Sequence, residues 1–301
     1  MKISIIIPTF NRPQSIKRCV ESITNNNFKD YEVIVVSDGE NLDNDKIIYN
    51  WKKDKRIKYI RTRHRGPGSA RNEGIKIARG EIVVFLDDDC VVSNNWIKNI
   101  YEEHQKNPRI DAIMGKIRQM NPGVISNQLY EFEPENYFMW RNNQKISPIK
   151  VNNVSYKYRV IRVLKKFVPE LKTAEDVEWN SRFVKKNMHA IYSKNIEITH
   201  EYRTTLKEFI QQTFGFGRGR FFIFAKREDY PEDRRNLLIY TLRLLITPII
   251  SPLARLMYAI KNNKRRKMLY FILGLLYQIS YWTGFLLEMC KYLFKKYEGI
   301  E

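Results

Sequence analysis

The sequence predicts an α/β protein built on a parallel or mostly parallel sheet with flanking helices, followed by hydrophobic C-terminal helices. Three observations carry this. Over the first 120 residues, short β-branched runs alternate with amphipathic segments. The runs are apolar without interruption, which is the pattern of strands buried on both faces between layers of helix. From about Asn236 the chain then becomes strongly apolar in two long stretches.

Taken in order, strands are predicted at residues 3–7, 32–36, 58–60, 82–86 and 112–117. Helices are predicted between them at 15–23, 43–51, 70–78 and 96–103, where apolar residues recur at helical spacing. The first helix carries its own start signal: Asn11 as cap, Pro13 in the first turn and Gln14 three residues beyond the cap. Residues 121–150 are irregular and aromatic (Tyr130, Phe132, Tyr137, Phe138, Trp140), punctuated by Pro122, Pro134 and Pro148. So long a loop with so many rings is expected to cover a substrate. Regularity returns with a strand at 151–156, a helix at 174–185 and two short strands at 190–192 and 196–200. A helix at 206–214 then ends in Gly215-Phe216-Gly217-Arg218-Gly219.

A chain of 301 residues can bury a sizeable core, and one large domain with an appendage fits better than two full domains. The formal charge of +20 suggests a phosphate-rich partner: nucleic acid, a nucleotide or an anionic membrane surface. Lysines that merely solubilise the surface are the alternative. Cys19, Cys90 and Cys290 form neither a zinc spacing nor a disulfide framework, so a reducing, cytosolic setting is expected. The apolar run at 3–7 is too short for a secretion signal and is interrupted by Pro8.

The most informative stretch is the strand at 82–86 followed by Asp87, Asp88 and Asp89. It delivers three carboxylates to a strand C-terminus, where open α/β sheets bind ligands. Left uncompensated, three adjacent anions repel. A hard cation, Mg2+ or Mn2+, resolves the conflict and keeps positions open for phosphate; a solvated acidic turn is the alternative. The first two strands end in Pro8-Thr9-Phe10-Asn11-Arg12 and Ser37-Asp38-Gly39 on the same sheet edge, where a carboxylate can bond a base N–H and Phe10 can stack on the base. Neither turn carries G-x-G-x-x-G, which disfavours a dinucleotide-binding site. Gly66-Pro67-Gly68-Ser69-Ala70-Arg71-Asn72 opens a helix whose N–H groups and Arg71 either hold a nucleotide or bridge to the acidic triplet.

Together with Ala78-Arg79-Gly80-Glu81, these motifs resemble glycosyltransferase family 2, a group of inverting enzymes with the GT-A fold. The resemblance runs from Ile3 to about Gly219. It implies a nucleotide-binding half at 1–120 and an acceptor half at 121–222 of one catalytic domain, with 223–301 as a helical, membrane-associating segment. It implies that Pro8, Thr9, Phe10, Asp38 and Arg71 contact the nucleotide, that Asp87 and Asp88 serve its ribose or phosphates, and that Asp89, with Asp87, holds the metal. Ser37 departs from the family, which commonly has a first Asp there, so a UDP-sugar is expected while other bases stay open.

By the same resemblance Asp176 of the pair Glu175-Asp176 is the general base, with Glu175 the second candidate. Thr173 is placed to cap the helix that both open, and a helix N-terminus favours an ionised carboxylate. His200 is either structural or a further metal or diphosphate ligand; Arg218 neutralises the leaving group, and Asn152 and Asn153 lie on the acceptor-side strand. The implied partners are a nucleotide-sugar donor, a lipid-linked or envelope glycan acceptor and the cytosolic membrane surface, not nucleic acid. A nucleotidyltransferase would place a Gly-rich, Arg/Lys-bearing loop after the first strand, and a nucleic-acid-binding module sits poorly with an acidic cleft.

Two apolar stretches, 237–260 and 268–287, flank the basic cluster at 261–267. If both crossed a bilayer, that cluster would face outward, against the positive-inside tendency. Helices that dip into the cytosolic leaflet keep it beside anionic lipid, so a monotopic or re-entrant attachment is expected.

Overall fold

In the computed structural model, nine strands among the described residues share one mixed sheet. The structure describes residues 1–39, 51, 53–131, 142–143, 145–146, 150–226, 237–264 and 267–297. Residues 43–50 of the helix expected at 43–51, and residues 132–141, 144 and 147–149 of the aromatic loop, Phe132, Tyr137, Phe138 and Trp140 among them, lie outside these residues.

The strands are β1 (Ile3–Thr9), β2 (Tyr31–Asp38), β3 (Ile57–Thr62), β4 (Ile82–Leu86), β5 (Cys90–Val92), β6 (Ala112–Gln119), β7 (Lys145–Ile146), β8 (Asn153–Lys157) and β9 (Ala190–His200). Neighbours run β3-β2-β1-β4-β8-β6-β9-β5, with β7 against β9. Parallel pairing joins β3, β2, β1 and β4, and again β6 and β9. β8 enters antiparallel between β4 and β6, and β5 and β7 run antiparallel to β9. Six strands therefore point one way, and β5, β7 and β8 the other. The two short strands expected at 190–192 and 196–200 are one strand, β9, broken by a bulge where Gly115 faces Ser193 and Lys116 faces Glu197.

Nine helices are described: α1 (Pro13–Thr24), α2 (Pro67–Ile77), α3 (Trp96–Lys106), α4 (Val124–Glu131), α5 (Tyr158–Leu164), α6 (Glu175–Lys185), α7 (Leu206–Lys226), α8 (Leu237–Lys261) and α9 (Lys267–Tyr297). Two start signals are corrected. α1 is capped by Arg12 without a side-chain bond, and Asn11 before it takes a left-handed backbone (φ 53°). α6 is capped by Ala174, also left-handed at φ 61°, rather than by Thr173. A non-glycine residue in that region stores backbone strain beside the carboxylates of α6.

The chain divides into two compact units. The first comprises residues 1–121 and 130–202, and the second 122–129 and 203–301. In the first, Ile6, Ile34, Val83, Phe85, Tyr156, Phe167, Trp179 and Phe183 belong to one buried cluster. Trp179 stacks on Phe167 at 4.2 Å, and Phe85 meets both edge-on. This packing fixes α6, and with it Glu175 and Asp176, over the sheet; removing a buried Trp costs about 3–5 kcal/mol.

In the second unit α7 does not stop at its glycines, as the sequence suggested, but runs through them. They let helices touch. A Cβ on Gly217 would lie 1.8 Å from the Tyr281 carbonyl oxygen, and one on Gly284 2.2 Å from that of Phe214. α8 holds Pro248 and Pro252 in its interior and packs on α9. Among the described residues one helix, Lys267–Phe294, is long and apolar enough to cross a membrane.

Candidate active site

Because β1 to β4 are parallel, their C-terminal ends share one edge; β6 and β9 end there too, and the reversed strands β5 and β8 begin there. The strand order changes direction between β1 and β4, with β2 and β3 on one side of β1 and β4 on the other. Such a switch point leaves a crevice outside the strand ends. Thr9, at the end of β1, donates to Asp88 Oδ2 across it at 2.7 Å.

The acidic triplet is distributed over different partners. Arg12 Nη1 donates to Asp88 Oδ1 at 3.0 Å and to Asp89 Oδ2 at 2.7 Å. Asp89 Oδ1 lies 3.2 Å from His200 Nε2. Asp87 accepts from Arg71 Nη2 at 2.8 Å, while Arg71 Nη1 donates to Glu175 Oε1 at 2.6 Å. One buried guanidinium thus ties the end of β4 to the start of α6. Arg71 bridges carboxylates here.

Burial drives the electrostatics. Asp88 is pushed up to about 6, with Arg12 opposing the rise and Asp89 adding to it. Burial likewise raises Glu175 to about 7, against the pull of Arg71. Asp176 is raised by burial, opposed by Arg71 and Lys150. For His200, burial works downward but the Asp89 carboxylate outweighs it, so the imidazole holds its proton more tightly than usual. Asp176 Oδ1 accepts from the Val177 N–H, which aligns the carboxylate at the first turn of α6.

The donors beside β9 suit a divalent cation: a carboxylate and an imidazole 3.2 Å apart, with the other ring nitrogen, Nδ1, buried and without a hydrogen-bond partner. Asp87 stands next to them, with one oxygen taken by Arg71.

Asp38 is buried, and its two oxygens accept the backbone N–H groups of Arg65 and Gly66, each at 2.8 Å. It therefore shapes the turn into α2, where Gly66 has φ 96°. Phe10 is exposed and stacks on His64 at 4.2 Å, forming an aromatic shelf at the mouth of β1 with Pro8 behind it in the strand. The Asn153 carboxamide is committed to the sheet: it accepts from Trp96 Nε1 and donates to the carbonyls of Lys116 and Ile196. Asn152 precedes β8 at the active edge, its buried carbonyl oxygen without a hydrogen-bond partner. Arg218 belongs to the second unit, where it pairs with Glu288 at 2.6 Å. Arg12 and His64 are site residues that sequence reasoning missed. Arg12 carried a signal, being the cation nearest the strand-one turn, whereas His64 carried none.

The match to the model of glycosyl transferase family 2 covers residues 4–214. The chain belongs to that family. It is a glycosyltransferase, and its fold is GT-A. It is 43% identical over 91 residues to a GalNAc(5)-diNAcBac-PP-undecaprenol beta-1,3-glucosyltransferase of Campylobacter jejuni, covering 29% of each chain. It is 35% identical over 138 residues to an uncharacterized glycosyltransferase of Rickettsia bellii, covering 43% of this chain and 20% of that one. The match thus spans less than a third of these relatives' own length. Poly(ribitol-phosphate) beta-N-acetylglucosaminyltransferase TarP of Staphylococcus aureus is matched more fully, at 28% identity over 67% of this glycosyltransferase and 61% of TarP. Among solved structures, TarS of S. aureus in complex with UDP-GlcNAc aligns with TM-score 0.59 at 17% identity, over 91% and 90% of the two chains. Mannosyltransferase PcManGT of Pyrobaculum calidifontis, in complex with GDP-Man and Mn2+, aligns with TM-score 0.65 at 16% identity, over 95% and 87%.

Proposed function

We infer that this glycosyltransferase inverts the anomeric centre and moves a sugar from a nucleotide sugar, a UDP-sugar first, to a hydroxyl of a lipid-linked or envelope glycan. The observation that carries the reading is the Arg71 bridge, which draws Asp87 at the end of β4 and Glu175 at the start of α6 to within 2.8 and 2.6 Å of one guanidinium. Acids from a strand end and a helix start are brought together there, as transfer between a bound donor and an acceptor requires. Glu175 is held in that bridge, so the base is its neighbour Asp176. The acceptor hydroxyl forms its bond to the anomeric carbon opposite the departing nucleoside diphosphate and gives its proton to Asp176 as the carbon–phosphate-oxygen bond breaks. Asp38 would set the turn beneath the nucleobase, Phe10 and His64 would offer it a face, and Asp88 is the candidate to meet ribose or phosphate. Asn152 remains the candidate toward the acceptor.

Asp89 and His200, with Asp87 beside them, would hold Mn2+ or Mg2+, which when bound supplies positive charge to the diphosphate. The names of the Campylobacter and S. aureus relatives carry an undecaprenyl-diphosphate glycan and a polymeric acceptor, which favours a cell-envelope substrate here. The second unit would hold the enzyme at the cytosolic leaflet. Ile246, Ile249, Ile250, Leu253, Met257 and Ile260 recur at helical spacing on α8 and are exposed, and Lys261 and Lys264 follow them. A stripe of that kind beside lysines suits anionic lipid.

The decisive measurement is a transfer and hydrolysis screen over UDP-, GDP- and dTDP-sugars with Mn2+, run on wild type and Asp176→Asn. The variant should bind donor normally and lose turnover by about 10²–10⁴-fold, the usual worth of a positioned base. Turnover near the wild-type rate in Asp176→Asn would remove Asp176 from this role.

A further inference from the structure

A third donor stands beside the carboxylate and imidazole, and it is a sulfur. β5 pairs antiparallel with β9, which sets Cys90 directly across from His200. A carboxylate oxygen of Asp89, the Cys90 thiol and an imidazole nitrogen of His200 all lie within 4.8 Å of one another. Cys90 is 1% exposed and is a free thiol. The two oxygens of Asp89 face different ways: Oδ2 is taken by Arg12 at 2.7 Å, whereas Oδ1 is the one 3.2 Å from His200. An ion seated between Asp89 Oδ1, Cys90 and His200 would leave the Arg12 bridge in place.

The chemistry of this set differs from an all-oxygen one. Hard cations such as Mg2+ favour carboxylate, carbonyl and water, whereas thiolate and imidazole select borderline and softer ions. A tetrahedral centre with metal–ligand bonds of about 2.0–2.3 Å needs its donors roughly 3.3–3.8 Å apart, so the three must close by at most about 1.5 Å. Three protein ligands leave a fourth position open, as in catalytic rather than structural zinc sites.

We propose that Asp89, Cys90 and His200 form a three-ligand site that takes a thiophilic divalent cation, of the Co2+, Zn2+ or Cd2+ class, in preference to Mg2+. The proposal rests on the reading of Asp89 and His200 as the metal-holding pair and adds Cys90 to it. On binding, the sulfur–metal bond replaces the S–H bond and the proton leaves to solvent, so affinity for such ions rises with pH while no group is oxidised.

The test uses the full chain carrying Cys290→Ser, which removes the exposed thiol, and titrates it with Co2+ while recording the near-ultraviolet thiolate-to-cobalt absorption. The expected result is a sulfur band that saturates at one equivalent, persists in Cys19→Ser and disappears in Cys90→Ser. Zn2+ affinity, from competition with the bound Co2+, should fall in Cys90→Ser by about 10- to 100-fold, the loss that even outer partners of a metal site produce. No sulfur band in the parent, or a band that survives Cys90→Ser, overturns the proposal. Mn2+ binding followed by electron paramagnetic resonance separates this from the underlying reading. Mn2+ bound by the parent and lost in Asp89→Ala, with no sulfur band, leaves the Asp89–His200 pair standing and removes Cys90. Mn2+ affinity unchanged in Asp89→Ala removes both.

Discussion

Replacing Arg71 by Met removes the cation that Asp87 and Glu175 share. Arg71 is 3% exposed, and its guanidinium bonds Glu175 at 2.6 Å and Asp87 at 2.8 Å. Methionine retains most of the stem volume, so the loss is electrostatic rather than a cavity. Removing one partner of a buried ion pair costs about 3–5 kcal/mol. That cost falls on Glu175, which is buried, more than on Asp87, whose side chain is 32% exposed and screened by water. Its dependence on pH has a definite sign. Glu175 already sits at about 7 in the folded protein, above its ordinary 4.5, with Arg71 holding it down. Without Arg71 it rises further. An acid raised on folding binds an extra proton in the folded state, so stability falls as pH increases between the unfolded and folded values. Below about 7 Glu175 is protonated in wild type and variant alike and the gap between them is small; above about 7 wild type ionises first and the gap widens toward the 3–5 kcal/mol ceiling. Urea unfolding followed by the emission of the buried Trp96 and Trp179, at a series of pH values on both sides of neutrality, measures this directly. A gap that stays constant with pH, or closes as pH rises, would refute the argument that Glu175 is seated on Arg71.

Gly217→Ala is expected to weaken the second unit by about 1–3 kcal/mol, because its Cβ would meet the Tyr281 carbonyl oxygen at 1.8 Å; thermal loss of helical circular dichroism reads this, and an unchanged midpoint would mean the α7–α9 crossing is looser than described. The pair Ile249→Asp and Met257→Asp, at side chains 63% and 69% exposed, should leave folding intact and reduce flotation with anionic vesicles by tenfold or more. The basis is that each buried aliphatic residue contributes about 1.5–3 kcal/mol. Equal flotation of wild type and the double variant would end the membrane assignment of that stripe.

Local signals were legible wherever one stretch of chain does one job. The strand at 82–86 was placed to the residue, because five consecutive apolar side chains followed by three acids admit little else. The glycine run at 215–219 was misread for the opposite reason: glycine ends helices by default, and the partner that makes it useful inside one, Tyr281, lies more than sixty residues away. The cap of α6 was missed on similar grounds, since a left-handed Ala174 is imposed by surroundings and not by its own preference.

The site itself was half legible, and the sheet's topology explains which half. Asp38, Arg71 and the acidic triplet come from the parallel part, where each βα turn reaches the same edge by rule. His200 and Asn152, which only the family resemblance singled out, reach that edge through the reversal at β8, while Cys90 follows Asp89 directly and starts β5 there. Inserting one antiparallel strand beside β4 returns β6 and β9 to the original direction, so that β9 ends, and β5 begins, level with the carboxylates. No pattern in residues 190–200 announces that reversal. Arg12 follows from the same geometry: with three acids gathered at one switch point, the cation on the adjacent turn has no better place to go, and it takes Asp88 and the Asp89 oxygen turned away from His200. The charge problem posed by three consecutive aspartates is thus met on three sides, by Arg12, Arg71 and the imidazole of His200, and the opening between Asp89, His200 and Cys90 is where a metal would complete it.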